Sequence, residues 1–244
     1  NLSVGIIGLG HWGPNVVRSL VDHARVLVRW VCDTQPKGMD RVSKLISPDC
    51  RFTTQAKELI ESPEVDAVVV VTPASTHYSL DKSSLEAGKH VFCEKPLTLS
   101  VNQDEELIQL AKEKNLHLMV GYTFLFNNGI RKAKELVKSG KLGDLYYITA
   151  TRTHLGLIRE DTSAVWDLAS HDVSILNFLL DQVPEKVSAV GATPLELGKP
   201  DLAFLTLFYP QGVLGQIHVS WVDSNKERFV RIIGSDARLV FDDL

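Results

Sequence analysis

Along the first half of the chain, short apolar runs alternate with amphipathic stretches. Val4–Ile7, Val26–Cys32, Ala67–Val71, His90–Cys93 and Leu116–Val120 read as strands. The segments around Val16–Asp22, Gln35–Ile46, Ser75–Ala87 and Ser100–Lys114 read as helices. Val68-Val69-Val70-Val71 lacks any polar alternation, which predicts a central parallel strand covered on both faces. Strand–helix–strand repetition of this kind predicts an α/β, doubly wound parallel sheet.

The pattern changes after about residue 122. A helix is predicted over Arg131–Ser139, ended by Gly140, then a strand over Leu145–Thr153 and a helix from about Leu168 to Leu180. Strand-like runs follow at Val187–Val190, Ala203–Tyr209, Val213–Val222, Phe229–Ile233 and Leu239–Phe241, with Pro210-Gln211-Gly212 as a hairpin turn. Short turns between strands predict an α+β domain with a mostly antiparallel sheet. The expected boundary is Gly121-Tyr122, giving domains 1–121 and 122–244.

Composition narrows the function classes. Hydrophobic residues at 44% and charged residues at 23% of 244 are ordinary for a globular protein. A net charge of −4 offers no basic excess to drive binding along a phosphate backbone, so nucleic acid is not an expected partner. No apolar stretch approaches the roughly 18 residues that span a bilayer. Cys32, Cys50 and Cys93 form neither a metal-type CxxC pair nor an even disulfide framework. The chain opens on strand-like Leu2–Ile7, and the expectation is a soluble cytoplasmic protein without a signal peptide.

Gly8-Leu9-Gly10-His11-Trp12-Gly13 fits GxGxxG directly after the first strand and before the first helix, the context in which that pattern is informative. Gly8 suits a tight turn, Gly10 a close approach of backbone to a pyrophosphate, and Gly13 close helix–strand packing. A ligand-free glycine turn is the plain alternative. Asp33 ends the second strand twenty positions beyond Gly13. A carboxylate there can accept the adenosine ribose hydroxyls and repels a 2′-phosphate, which favours NAD over NADP; a helix cap or turn aspartate is the alternative.

Thr72-Pro73-Ala74-Ser75-Thr76-His77 and Glu94-Lys95-Pro96 each follow a strand, at the end where open α/β sheets bind ligands. Lys95 beside Glu94 is otherwise a surface ion pair. In Trp166-Asp167-Leu168-Ala169-Ser170-His171-Asp172, regular helical spacing puts Asp167, His171, Ser174 and Phe178 on one face. A histidine in the first helical turn feels the positive dipole end, which keeps a neutral base available. Asp167 orients that ring or binds a substrate hydroxyl, unless both residues are structural. A metal site lacks any clear third ligand.

Together these residues resemble the glucose–fructose oxidoreductase / inositol dehydrogenase / MocA family. The resemblance runs through the glycine loop, Asp33, Thr72-Pro73…His77, Gly88-Lys89-His90-Val91-Phe92-Cys93-Glu94-Lys95-Pro96, Val120–Asn127 and Trp166-Asp167…His171-Asp172. Trp166–Leu180 and Ser220-Trp221-Val222-Asp223 look most like a branch of surface-polysaccharide and nucleotide-sugar metabolism. The resemblance implies an NAD-dependent dehydrogenase of sugar or nucleotide-sugar alcohols. It implies Lys95 as catalytic, Asp167 and His171 as acidic residue and base, and His11, Trp12, Thr72, Pro73, His77, Glu94 and Lys95 against the cofactor. Many relatives carry Arg where this chain has Leu125. Relatives also run about a third longer, so the chain reads as ending in mid-domain at Leu244, with an open sheet face covered in a homodimer or homotetramer. The rivals are an enzyme that retains NAD and uses transient oxidation for elimination or hydrolysis, a non-catalytic NAD-binding sensor, and a plain structural protein.

Overall fold

The computed structural model describes residues 1–156, 158 and 162–244. It divides into two compact units, Asn1–Gly121 and Tyr122–Leu244.

The first unit is built on six parallel strands in the order β3-β2-β1-β4-β5-β6. They are β1 (Leu2–Ile7), β2 (Val26–Cys32), β3 (Arg51–Thr53), β4 (Ala67–Val70), β5 (His90–Cys93) and β6 (Leu118–Val120). All of β4 is buried, as its unbroken apolar run requires. Helices α1 (Gly13–Val21), α2 (Lys37–Asp40), α3 (Ala56–Glu61), α4 (His77–Glu86) and α5 (Val101–Glu113) connect the strands. Two apolar clusters form the core, one around Leu59, Val68, Leu85 and Leu107 and the other around Ile6, Leu9, Val17 and Val31.

Two local expectations fail here. The helix expected over Gln35–Ile46 is only α2 followed by a run of turns, in which backbone bonds such as Leu45 N–H to Val42 C=O reach back three residues. Apolar Met39, Val42 and Ile46 still turn inward, so the apolar spacing marks the inward face but not the helix type. The short edge strand β3 and the two-turn α3 lie outside the expected elements, being too brief to show a period.

The second unit carries a sheet in the order β12-β11-β7-β10-β9-β8. Its strands are β7 (Leu145–Leu155), β8 (Lys186–Ala192), β9 (Leu202–Phe208), β10 (Leu214–Ser220), β11 (Val222–Gly234) and β12 (Arg238–Asp242). Among the described residues only β7 and β10 run parallel; the other pairs are antiparallel. Pro210–Gly212 makes the tight β9–β10 turn, with Gln211 and Gly212 both at positive φ. The expected strand Val213–Val222 stops at Ser220, and Phe229–Ile233 is the end of the long β11, which bulges against β7 between Val222 and Glu227. Helices α6 (Asn128–Lys138) and α7 (Ser170–Leu180) share one core with the sheet. Along β9 and β10 buried residues alternate with exposed or half-exposed ones, so one sheet face is covered.

Candidate functional site

In the first unit the strand order reverses between β1 and β4, and the loops leaving the carboxyl ends of β1, β2, β4 and β5 gather the sequence candidates. Gly8 has φ 99°, and a Cβ there would lie 2.5 Å from the Val71 carbonyl oxygen. Only glycine satisfies both conditions. A Cβ on Gly13 would collide with the Gly8 carbonyl, whereas one on Gly10 would meet nothing within 4 Å. The loop is therefore closed on two glycines and open on the third, and α1 begins beside it without a side-chain cap. That combination suits a pyrophosphate lying on backbone N–H groups. His11 and Trp12 are exposed on the same loop.

Asp33 Oδ2 accepts the Leu9 N–H at 2.7 Å and Oδ1 accepts the Gln35 N–H at 2.8 Å. The carboxylate thus shapes the glycine loop itself, and its remaining lone pairs stay available to ribose hydroxyls. The Arg41 guanidinium reaches the Leu9 carbonyl at 3.4 Å. Sequence reading did not single out Arg41, which lies in the segment expected to be regular helix.

Beyond β4, the Thr76 hydroxyl lies 2.7 Å from the Thr72 hydroxyl and 2.8 Å from the Pro73 carbonyl. His77 is buried, with Nδ1 2.8 Å from the Pro96 carbonyl oxygen and Nε2 2.9 Å from that of Thr72. The ring ties the Thr72 loop to the Glu94-Lys95-Pro96 loop. Beyond β5, the Lys95 N–H donates to Glu94 Oε2 at 3.3 Å, and Lys95–Pro96 is a cis peptide. Burial pushes the Glu94 carboxyl above its usual range, with the Lys95 N–H, the Lys95 charge and the Trp12 side chain acting against the shift.

In the second unit, Val165–Ala169 forms a π-helical turn that runs directly into α7. Asp167 sits in that turn and His171 in the next, so the regular spacing assumed from sequence does not hold at Asp167. The helical stretch already begins at Ala164, well ahead of His171. The dipole argument for a neutral His171 therefore lapses, because that field fades within the first turn. The Ser174 hydroxyl donates to the His171 carbonyl at 2.7 Å, and Phe178 packs on the core, so neither extends a functional face. Three residues around His171 were not foreseen. Arg152 forks onto buried Asp172, with Nε 3.2 Å from Oδ2 and Nη2 3.0 Å from Oδ1. Phe124 lies against both the Arg152 guanidinium and the His171 ring. On β7, burial holds His154 below its ordinary range while the Asp167 carboxylate opposes the shift.

Among the described residues no group of three His, Cys, Asp or Glu side chains could hold a metal ion, and no helix is long and apolar enough to cross a membrane.

Residues 2–122 match the Gfo/Idh/MocA model described as an oxidoreductase family with an NAD-binding Rossmann fold, and residues 130–240 match a C-terminal domain of the same family. The chain is 27% identical to a myo-inositol 2-dehydrogenase of Thermotoga maritima, over all of this chain and 76% of that protein. It is 25% identical to a 2,7-anhydro-N-acetylneuraminate hydratase of Escherichia coli, over 99% of this chain and 68% of the relative. Its fold matches the crystal structure of GenD2 from gentamicin A biosynthesis in complex with NAD, with TM-score 0.92 and 27% identity, over 99% of this chain and 72% of that one.

Proposed function

Because the chain belongs to the Gfo/Idh/MocA oxidoreductase family, we propose that it transfers a hydride between NAD and a secondary alcohol of a sugar or nucleotide sugar. The observation that carries the reading is the glycine loop at the β1/β4 switch point, open at Gly10 and organised by Asp33. When bound, the nicotinamide takes or returns the hydride. His171 takes the hydroxyl proton as general base, and Asp167 holds that ring or the sugar. Lys95 presents a cation to the developing alkoxide. Thr72, Pro73 and Glu94 border the cofactor, as do His11 and Trp12. The Asp33 carboxylate makes NAD the preferred dinucleotide over NADP.

NAD reduction screened against free polyols and nucleotide sugars tests the reaction. Lys95→Ala and His171→Ala should each lower turnover by roughly 10²-fold while leaving NAD affinity nearly unchanged. An active double variant would remove both residues from the chemistry, and NAD binding without turnover of any alcohol would favour a sensor. The hydratase relative supports a second reading, in which transient oxidation drives elimination or hydrolysis. Product formed without net NADH would select it.

The proposal extends to assembly and location. The uncovered face of the second sheet exposes Val190, Phe204, Leu214 and Val240, an apolar area that a second copy of the chain would cover. Light scattering over a dilution series should show a homodimer or homotetramer, and a stable monomer at micromolar concentration would refute it. The three cysteines are free thiols, which fits the cytoplasm.

A further inference from the structure

We propose that Phe124, braced by the buried Arg152–Asp172 pair, is a positioning residue for His171; the functional meaning of that role rests on the reading of His171 as the base. Ile148, Ala150 and Arg152 are all buried at alternate positions of β7, so Arg152 points into the core where an apolar residue would ordinarily stand. Its guanidinium meets the Asp172 carboxylate two-pronged, and Asp172 has no exposed surface. Burial pushes that carboxyl upward and the Arg152 charge works against it. A buried ion pair of this kind adds little net stability over apolar residues of the same size. What it supplies is direction, because the planar fork admits one relative orientation of strand and helix.

The second half of the brace is aromatic. The Arg152 guanidinium carbon lies 4.5 Å from the Phe124 ring centre. The same ring meets His171 edge to face, with centroids 5.2 Å apart and planes at 71°. Asp172, Arg152, Phe124 and His171 therefore form a closed circuit that begins and ends on adjacent residues of α7. The backbone at His171–Asp172 is held by the ion pair, and the imidazole plane is held by a ring that the same ion pair supports. Such a circuit fixes both where the imidazole stands and how it is turned, the two quantities on which proton transfer depends.

The test substitutes Phe124→Leu, which keeps apolar volume but removes the ring, with Phe124→Tyr as the conservative counterpart. The first readout is the His171 imidazole resonance, followed by NMR in protein without substrate and assigned with His171→Ala. Phe124→Leu should displace and broaden it, and Phe124→Tyr should restore it. Phe204→Leu, which removes a ring stacked on His218, should leave it unmoved. The second readout is turnover: Phe124→Leu should lower kcat roughly tenfold with KM changed less than about twofold, since it misdirects a proton acceptor without touching substrate. Because loss of the ring current alone displaces the signal, the line width decides: a His171 resonance no broader in Phe124→Leu would overturn the positioning role. If that variant does not fold, Phe124→Met is read by the same two criteria. If instead His171→Ala leaves turnover intact, it is the assignment of the base that falls, and the resonance still decides the bracing.

Discussion

Asp81 lies on α4 with no exposed surface, and neither carboxylate oxygen has a hydrogen-bond partner among the described residues. The Cys93 thiol opposes the shift, but it is directed at the carbonyls of Glu94 at 3.3 Å and Leu97 at 3.9 Å. Burial therefore dominates and raises the Asp81 carboxyl from 3.8 to about 7. At about 1.4 kcal/mol per unit, an ionised Asp81 costs the folded state roughly 4 kcal/mol. The folded state holds one more proton than the unfolded chain between the two values, so this contribution is lost as pH rises from about 4 to about 7 and is constant above. Between pH 5 and pH 8 the loss should be roughly 2–3 kcal/mol. Asp81→Asn removes the titration at the expense of about 1 kcal/mol for an unpaired buried amide. Hydrogen exchange of β4 and β5 amides, read at both pH values, reports this unit alone. The variant should lie within about 1 kcal/mol of the parent at pH 5 and be roughly 3 kcal/mol more stable at pH 8. Burial also raises Glu94 and Asp104 in both proteins, so the difference between the two is the quantity to compare. Parallel slopes would refute the argument.

Asp33→Ser should weaken NAD binding and narrow or reverse the preference over NADP, since it removes both the ribose acceptor and the bond that shapes the loop at Leu9; calorimetric titration with each dinucleotide measures it, and an unchanged preference would sink the assignment. Gly8→Ala should abolish NAD binding and destabilise the first unit by at least roughly 1–2 kcal/mol, because the new Cβ would sit 2.5 Å from the Val71 carbonyl at a φ of 99°; tight NAD binding by this variant would refute the close approach.

The α/β class and the family were legible because their signals are local and dense. The all-apolar β4 and the glycine loop each announce themselves within a few residues. Legibility faded where several backbone types share one apolar spacing. The segment after Asp33 shows a helical period that 3₁₀-like turns satisfy equally, and the stretch before His171 accommodates a π turn that no side-chain pattern reveals. His77 shows a different limit. A histidine near a ligand loop reads as a ligand contact, whereas its place between the backbone carbonyls of residues 72 and 96 is visible only once the loops are folded.

The Arg152–Asp172 pair lies between these cases, because each half breaks a pattern that the sequence states openly. On β7 the inward positions run Ile148, Ala150, Arg152, and on α7 the inward positions run Asp172, Ile175, Leu176, Leu179. A charge at an inward strand position requires a partner, since its desolvation would otherwise cost several kcal/mol. The next helix offers one carboxylate on its apolar side, and it stands beside the histidine already suspected of chemistry. Two violations of opposite sign in neighbouring elements are thus a long-range contact readable without coordinates. The third member was less visible: Phe124 looks like one more apolar residue, and only its distances to Arg152 and His171 distinguish it from the core around it.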